Sequence, residues 1–134
     1  MIKYVIRAKK SPIAKSVKYY PQMAPTTPVT LAQIVKRIEK RSTVSSADVK
    51  AVLDALQYEV IDALQNGNSV RLGDLGSFRL SIKANGSDTS AEAKKTGANA
   101  IKAVNVQFTK STAMKEALSP SNAEFALQAD IAND

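Results

Sequence analysis

Hydrophobic and polar positions fall into three regimes along this chain. At the start, Ile2, Tyr4 and Ile6 alternate with Lys3, Val5 and Arg7, and Val17 and Tyr19 alternate with Lys18 and Tyr20. A period of two predicts strands whose side chains point alternately to opposite faces. Residues 8–16 between them are basic and hold Pro12, so the pair reads as a hairpin or two edge strands. Residues 21–28, Pro-Gln-Met-Ala-Pro-Thr-Thr-Pro, read as an extended linker.

The period then lengthens. Leu31, Ile34, Val35 and Ile38 recur at helical spacing behind Thr30-Leu-Ala-Gln33, which has the form of a capping box. This helix is expected to run to about Arg41, with Lys36, Arg37 and Lys40 on its other face. Thr43-Val44 reads as a turn and Ser45 as the N-cap of a second helix. There Val49, Val52, Leu53, Leu56, Val60 and Leu64 form one apolar stripe. Asn66-Gly67 supplies the stop, because glycine takes the left-handed conformation at low cost.

Beyond Gly67 the period returns to two. Val70 and Leu72 lead into Gly73-Asp74-Leu75-Gly76, and Phe78, Leu80 and Ile82 follow, predicting two strands around a tight turn. Residues 83–100 are polar or small and lack regular apolar spacing. That length predicts an arm or flap protruding from the sheet. Val104, Val106 and Phe108 then alternate with Ala103, Asn105 and Gln107, and a short helix over 111–118 closes the domain. Prolines stand at 12, 21, 25, 28 and 120, so the stretch between Val29 and Ser119 is a proline-free block of domain size. Residues 119–134 read as a flexible tail, or one with a weak helix around Phe125 and Leu127.

Composition narrows the chemistry. The 134 residues include no His and no Cys. Structural zinc sites, catalytic triads, thiol nucleophiles and disulfides are therefore excluded. Asp54, Glu59 and Asp62 read as the solvated face of the second helix rather than a catalytic pair. No enzyme activity, cofactor, metal or small-molecule substrate is expected. No segment approaches the ~20 apolar residues of a membrane helix, and the N-terminal apolar run is too short for a signal peptide. A cytoplasmic protein without membrane association is the expectation.

Charge adds a location. The formal net charge is +7, from 19 basic and 12 acidic residues. Residues 1–20 hold six basic groups and no acid, residues 31–65 balance, and residues 66–118 hold eight basic groups against four acids. Residues 119–134 hold three acids and no base. A solvated basic surface explains such an excess. So does nucleic acid, since clustered cations gain from counterion release along a phosphate backbone.

Val70-Arg-Leu-Gly-Asp-Leu-Gly-Ser-Phe78 resembles the strand–turn–strand signature of the bacterial HU/IHF family of histone-like proteins. Leu75 stands where that family more often has Phe. Val104-Asn-Val-Gln-Phe108, with Lys115-Glu-Ala-Leu118, is similar to the family's last strand and closing helix, and the two leading helices match in length and spacing. The resemblance covers about residues 29–118. It implies an α+β fold: an intertwined homodimer with two N-terminal helices, a three-stranded antiparallel sheet with a protruding β-arm, and a short C-terminal helix. To this the chain adds N-terminal strands, as in longer HU-like variants. Domain bounds are expected at 1–28, 29–118 and 119–134, with the arm at about 83–100.

The resemblance also implies a function: non-sequence-specific, architectural binding of duplex DNA in the nucleoid. Lys83, Lys94, Lys95 and Lys102 of the arm are the candidate phosphate contacts. Arg71 and Arg79 flank the turn, where they either reach the DNA backbone or keep the exposed sheet face soluble. Lys110, Ser111 and Lys115 stand at the start of the closing helix, with Ser111 also a plain N-cap. Lys9, Lys10 and Lys15 of the head are further candidates, or lysines that deter edge-to-edge aggregation. The family's Arg-Asn-Pro arm tip is missing, so intercalation by proline is not expected. The alternative is an HU-like dimeric scaffold for protein association, with incidental DNA binding.

Overall fold

A computed structural model describes residues 1–13 and 15–128. Asp130 and Asp134 of the acidic tail lie outside the described residues. The chain divides into two compact units, one of residues 1–30 with 116–134, the other of residues 31–115.

The first unit is built on a hairpin of β1 (Ile2–Lys10) and β2 (Val17–Met23), paired antiparallel from Tyr4↔Met23 to Lys10↔Val17. β2 runs through Pro21 into the segment expected to be a linker. Proline is tolerated there because β2 is an edge strand, whose outer side needs no donor. The third strand comes from the expected flexible tail. β6 (Phe125–Leu127) pairs parallel with β1, Ile2 opposite Phe125 and Tyr4 opposite Leu127. This corrects both the flexible-tail and the weak-helix expectations over these residues. Three strand residues show too little period to be read, and their partner lies more than a hundred positions away. The ladder is held by Ile2 N–H donating to Glu124 O at 2.7 Å and Gln128 N–H to Tyr4 O at 2.9 Å.

The second unit opens with α1 (Leu31–Arg41) and α2 (Ser46–Gln65). α2 starts where expected: Ser45 has an extended backbone and its side chain accepts the Asp48 N–H at 3.3 Å. It ends at Asn66, and Gly67 follows with φ +81°. A hydrogen bond from the Ser46 hydroxyl to the Glu39 carboxylate ties the two helices. Val35, Val49 and Leu64 are buried, whereas Val52 and Leu56 of the expected core stripe are exposed, as are Tyr58 and Ile61. One chain therefore covers only part of the apolar surface that α2 presents.

β3 (Val70–Arg71), β4 (Gly76–Ala84) and β5 (Ile101–Lys110) form an antiparallel sheet in that order. Phe78 stands opposite Phe108, their rings 5.2 Å apart and tilted by 52°. Gly76 fits this corner only without a side chain. Its φ is +149°, and an added Cβ would lie 2.8 Å from the Phe108 ring and closer still to the Thr109 carbonyl.

The segment between β4 and β5 is not an extended β-arm. The Asn85 N–H donates to Ala100 O at 2.9 Å and closes its base. Inside lie α3 (Ser90–Thr96) and a 3-10 turn, Gly97–Ala100. Ser-Ala-Glu-Ala-Lys-Lys-Thr is composed of helix-tolerant residues without β-branched alternation, and Thr89 caps it by accepting the Glu92 N–H at 3.1 Å. α4 (Thr112–Ala117) is the short closing helix.

Two substitutions test this architecture. Ser45→Ala is expected to cost about 1 kcal/mol by loss of the cap. Gly76→Ala is expected to cost more than about 2 kcal/mol through clash and backbone strain. Urea denaturation of the full chain measures both.

Candidate nucleic-acid interface

Alternation in the β3–β4–β5 sheet sorts its residues onto two faces. Val70, Phe78, Leu80, Ile82, Val104, Val106 and Phe108 share one. Arg71, Ser77, Arg79, Ser81, Lys83, Asn105, Gln107 and Thr109 share the other. The register puts Arg71, Ser77 and Thr109 in one row across three strands. Arg79 stands opposite Gln107, Ser81 opposite Asn105, and Lys83 opposite Ala103. From Ser77 to Lys83 is six residues, roughly 20 Å of strand.

This second face is polar and carries cations without a carboxylate. Arg71, Arg79 and Lys83 are all exposed. Guanidinium groups bind phosphate through two parallel N–H donors, and the neighbouring hydroxyls and amides add donors of neutral charge. Such a surface has the charge and the hydrogen-bond donors to contact an extended polyanion. Ser77, Ser81, Asn105, Gln107 and Thr109 were not singled out from the sequence. Their signal was there, in the odd-numbered positions that alternate with the apolar row.

The opposite face is apolar yet open. Ile82 is 62% exposed, Val104 57%, Val106 58% and Phe108 50%. Burying such a side chain fully is worth ~1.5–3 kcal/mol, so a face of this size left to water is a strong demand for cover.

The other candidates are dispersed. Lys94 and Lys95 lie in the last turn of α3, with Glu92 in its first turn. Lys102 sits at an irregularity of the β4–β5 ladder: Lys83 pairs with Ala103 and Ala84 with Ile101, which leaves Lys102 without a register partner. Lys110 ends β5 opposite Gly76, on the parity of the apolar row. Ser111 is committed to structure. Its hydroxyl accepts the Met114 N–H at 3.1 Å and donates to the Asp74 carbonyl, while its own N–H donates to Leu75 O at 3.2 Å. It thereby pins the 72–76 turn to the start of α4, on which Lys115 lies exposed. Lys9 and Lys10 are on β1, and Lys15 is in the connecting loop with φ +52°. These three belong to the other compact unit.

Among the described residues no cluster of His, Cys, Asp or Glu is placed to hold a metal ion, and no helix is long and apolar enough to cross a membrane.

Comparison with known proteins places this geometry. DNA-binding protein HU of Thermus thermophilus is 38% identical over 58 residues, which are 43% of this chain and 60% of that protein. A crystal structure of a candidate bacterial DNA-binding protein from Bacteroides vulgatus shares the fold at TM-score 0.68 and 17% identity. The match covers 94% of this chain and 47% of that one, so this chain spans about half its length. HU of Anabaena, crystallised with DNA, aligns at TM-score 0.53 and 20% identity over 69% of this chain and 99% of its own. Residues 1–124 match the family model HU-HIG, described as an HU domain fused to wHTH, Ig, or glycine-rich motif. The two-faced sheet, the helical pair before it and this match across nearly the whole chain together make the protein a member of the HU-HIG family of HU-like proteins.

Proposed function

We propose that this chain is a non-enzymatic, architectural DNA-binding protein of the nucleoid that acts as a homodimer and binds duplex DNA with little sequence preference. The observation that carries this is the division of the β3–β4–β5 sheet into an acid-free polar face with Arg71, Arg79 and Lys83 and an uncovered apolar face. The polar face is the saddle for DNA. The apolar face, with the open flank of α2, is the surface on which a second copy completes the core.

Lys94, Lys95 and Lys102 add positive charge in and beside the segment beyond the saddle, and Lys110, at the end of β5, and Lys115, on α4, add more. Lysine offers charge and reach without the bidentate reading of a base edge, so contacts of this kind position DNA rather than select its sequence. Ser111 acts mainly by holding the turn in place. Lys9, Lys10 and Lys15 of the head add attraction for the same polyanion. The segment between β4 and β5 has no proline to wedge between base pairs, so bending rests on neutralised phosphates.

Binding to duplex DNA is expected to fall with salt, with a log–log slope of about −0.9 per phosphate neutralised. Replacing Arg71, Arg79 and Lys83 together by Gln should flatten that slope by about 0.9 for each phosphate no longer neutralised, and should do so equally for unrelated sequences. A gel-shift salt series measures both. Undetectable duplex binding at low salt refutes the proposal.

Val106→Lys places a charge in the centre of the apolar face. It is expected to shift the chain from dimer to monomer in sedimentation equilibrium. A wild-type chain that sediments as a monomer at high concentration excludes the dimer.

A further inference from the structure

We propose that the β1–β2 hairpin is a second nucleic-acid site, which takes single strands by stacking a base on Tyr20 among cations. The proposal rests on the reading that this chain binds nucleic acid, yet uses none of the saddle residues.

The register builds the site. Arg7 stands opposite Tyr20 and Lys9 opposite Lys18. Alternation places Arg7, Lys9, Lys18, Tyr20 and Gln22 on one face of the hairpin, away from Tyr4, Ile6 and Met23. Tyr20 is 43% exposed. A cleft of about 530 Å³ opens beside it, lined in part by Lys9, Lys10, Pro12, Lys18, Tyr20 and Gln22.

Charge points to a polyanion. No acidic residue precedes Glu39 in the chain. Glu124 lies beside Ile2, at the far end of β1, roughly 23 Å along the strand from Lys9. Like charges directly opposite in an antiparallel pair destabilise it, and the Lys9–Lys18 pair has no neutralising carboxylate on either strand. A phosphate between the two ammonium groups turns that repulsion into two attractions. Arg7 and Lys9 are two residues apart, about 6.6 Å, which is comparable to the step between phosphates of an extended single strand.

The ring decides between strands. Lysines that only keep an edge strand from aggregating need no aromatic neighbour. An exposed ring set among cations on a strand surface is a stacking platform, and it works on bases that are not already stacked inside a duplex. Gln22, next along the face, offers an amide to the edge of a stacked base.

The test uses the full chain carrying Arg71→Gln, Arg79→Gln and Lys83→Gln, with fluorescent oligothymidylate as probe and anisotropy as readout. This background is expected to bind oligothymidylate with a salt slope of about −1.4, for two phosphates, one between Lys9 and Lys18 and one at Arg7, at the single-strand value. Adding Tyr20→Ala or Tyr20→Leu should weaken binding at least about fivefold, the lower end of base stacking. Tyr20→Phe should retain it, and its thermal melt serves with those of the Ala and Leu variants to confirm folding. No oligothymidylate binding in the saddle-silenced background, or equal binding by the Leu and Phe variants, overturns the proposal. A duplex titration of the same proteins separates the two claims: a saddle-silenced chain that binds duplex like wild type contradicts the saddle, whatever the head does.

Discussion

Strand register between β4 and β5 is the constraint on which the rest depends. Because side chains alternate with a period of two, a slip of one residue would put Arg79 and Lys83 of β4 on the same face as Val104 and Val106 of β5, and Leu80 and Ile82 with Asn105 and Gln107. The chain pins that register at one end. Gly76 lets the Phe108 ring and the Thr109 carbonyl come close, Phe78 packs on Phe108, and Ser111 fastens the preceding turn to α4. These residues decide which face is cationic.

The same alternation creates a shortage. With Val35, Val49 and Leu64 the buried hydrophobic side chains of the larger unit, its helices and sheet present more apolar surface than they cover. The proposed homodimer would resolve this with a core shared between two chains, leaving the polar faces outward on both. The proposed assembly and the proposed binding thus draw on one pattern. The net charge of +7 fits this division: the α1–α2 region is balanced, and the cations gather on the sheet face, in the segment beyond it and on the head hairpin.

Much of this was legible in the sequence because it is local. Ser45, the 3.6-residue spacing of α2 and the Asn66-Gly67 stop are contiguous signals, and the strands announce themselves by alternation. What was missed depends on distance or on weak period. β6 exists only because β1 offers an open edge to residues at the other end of the chain. Strand β2 continues through Pro21, which its edge position permits. α3 did leave a mark, since Thr89-Ser-Ala-Glu92 has the spacing of a capping box, but a polar helix has no apolar stripe to reveal it. Of the candidate residues, Arg71, Arg79 and Lys83 come together on one face, whereas Lys94, Lys95, Lys102 and the head lysines are placed elsewhere. Spacing within a strand predicts a shared face; spacing across a long connection does not.

Arginine gives the most direct test of the central claim, because the chain carries it at Arg37 and Arg41 on α1, at Arg71 and Arg79 on the sheet, and at Arg7 on the head. Phenylglyoxal modification of the full chain, with and without duplex DNA at low salt and read by peptide mass spectrometry, compares the first two pairs within one molecule. The account predicts that DNA protects Arg71 and Arg79 while Arg37 and Arg41 stay reactive. Protection of Arg37 and Arg41 with Arg71 and Arg79 left reactive would contradict it.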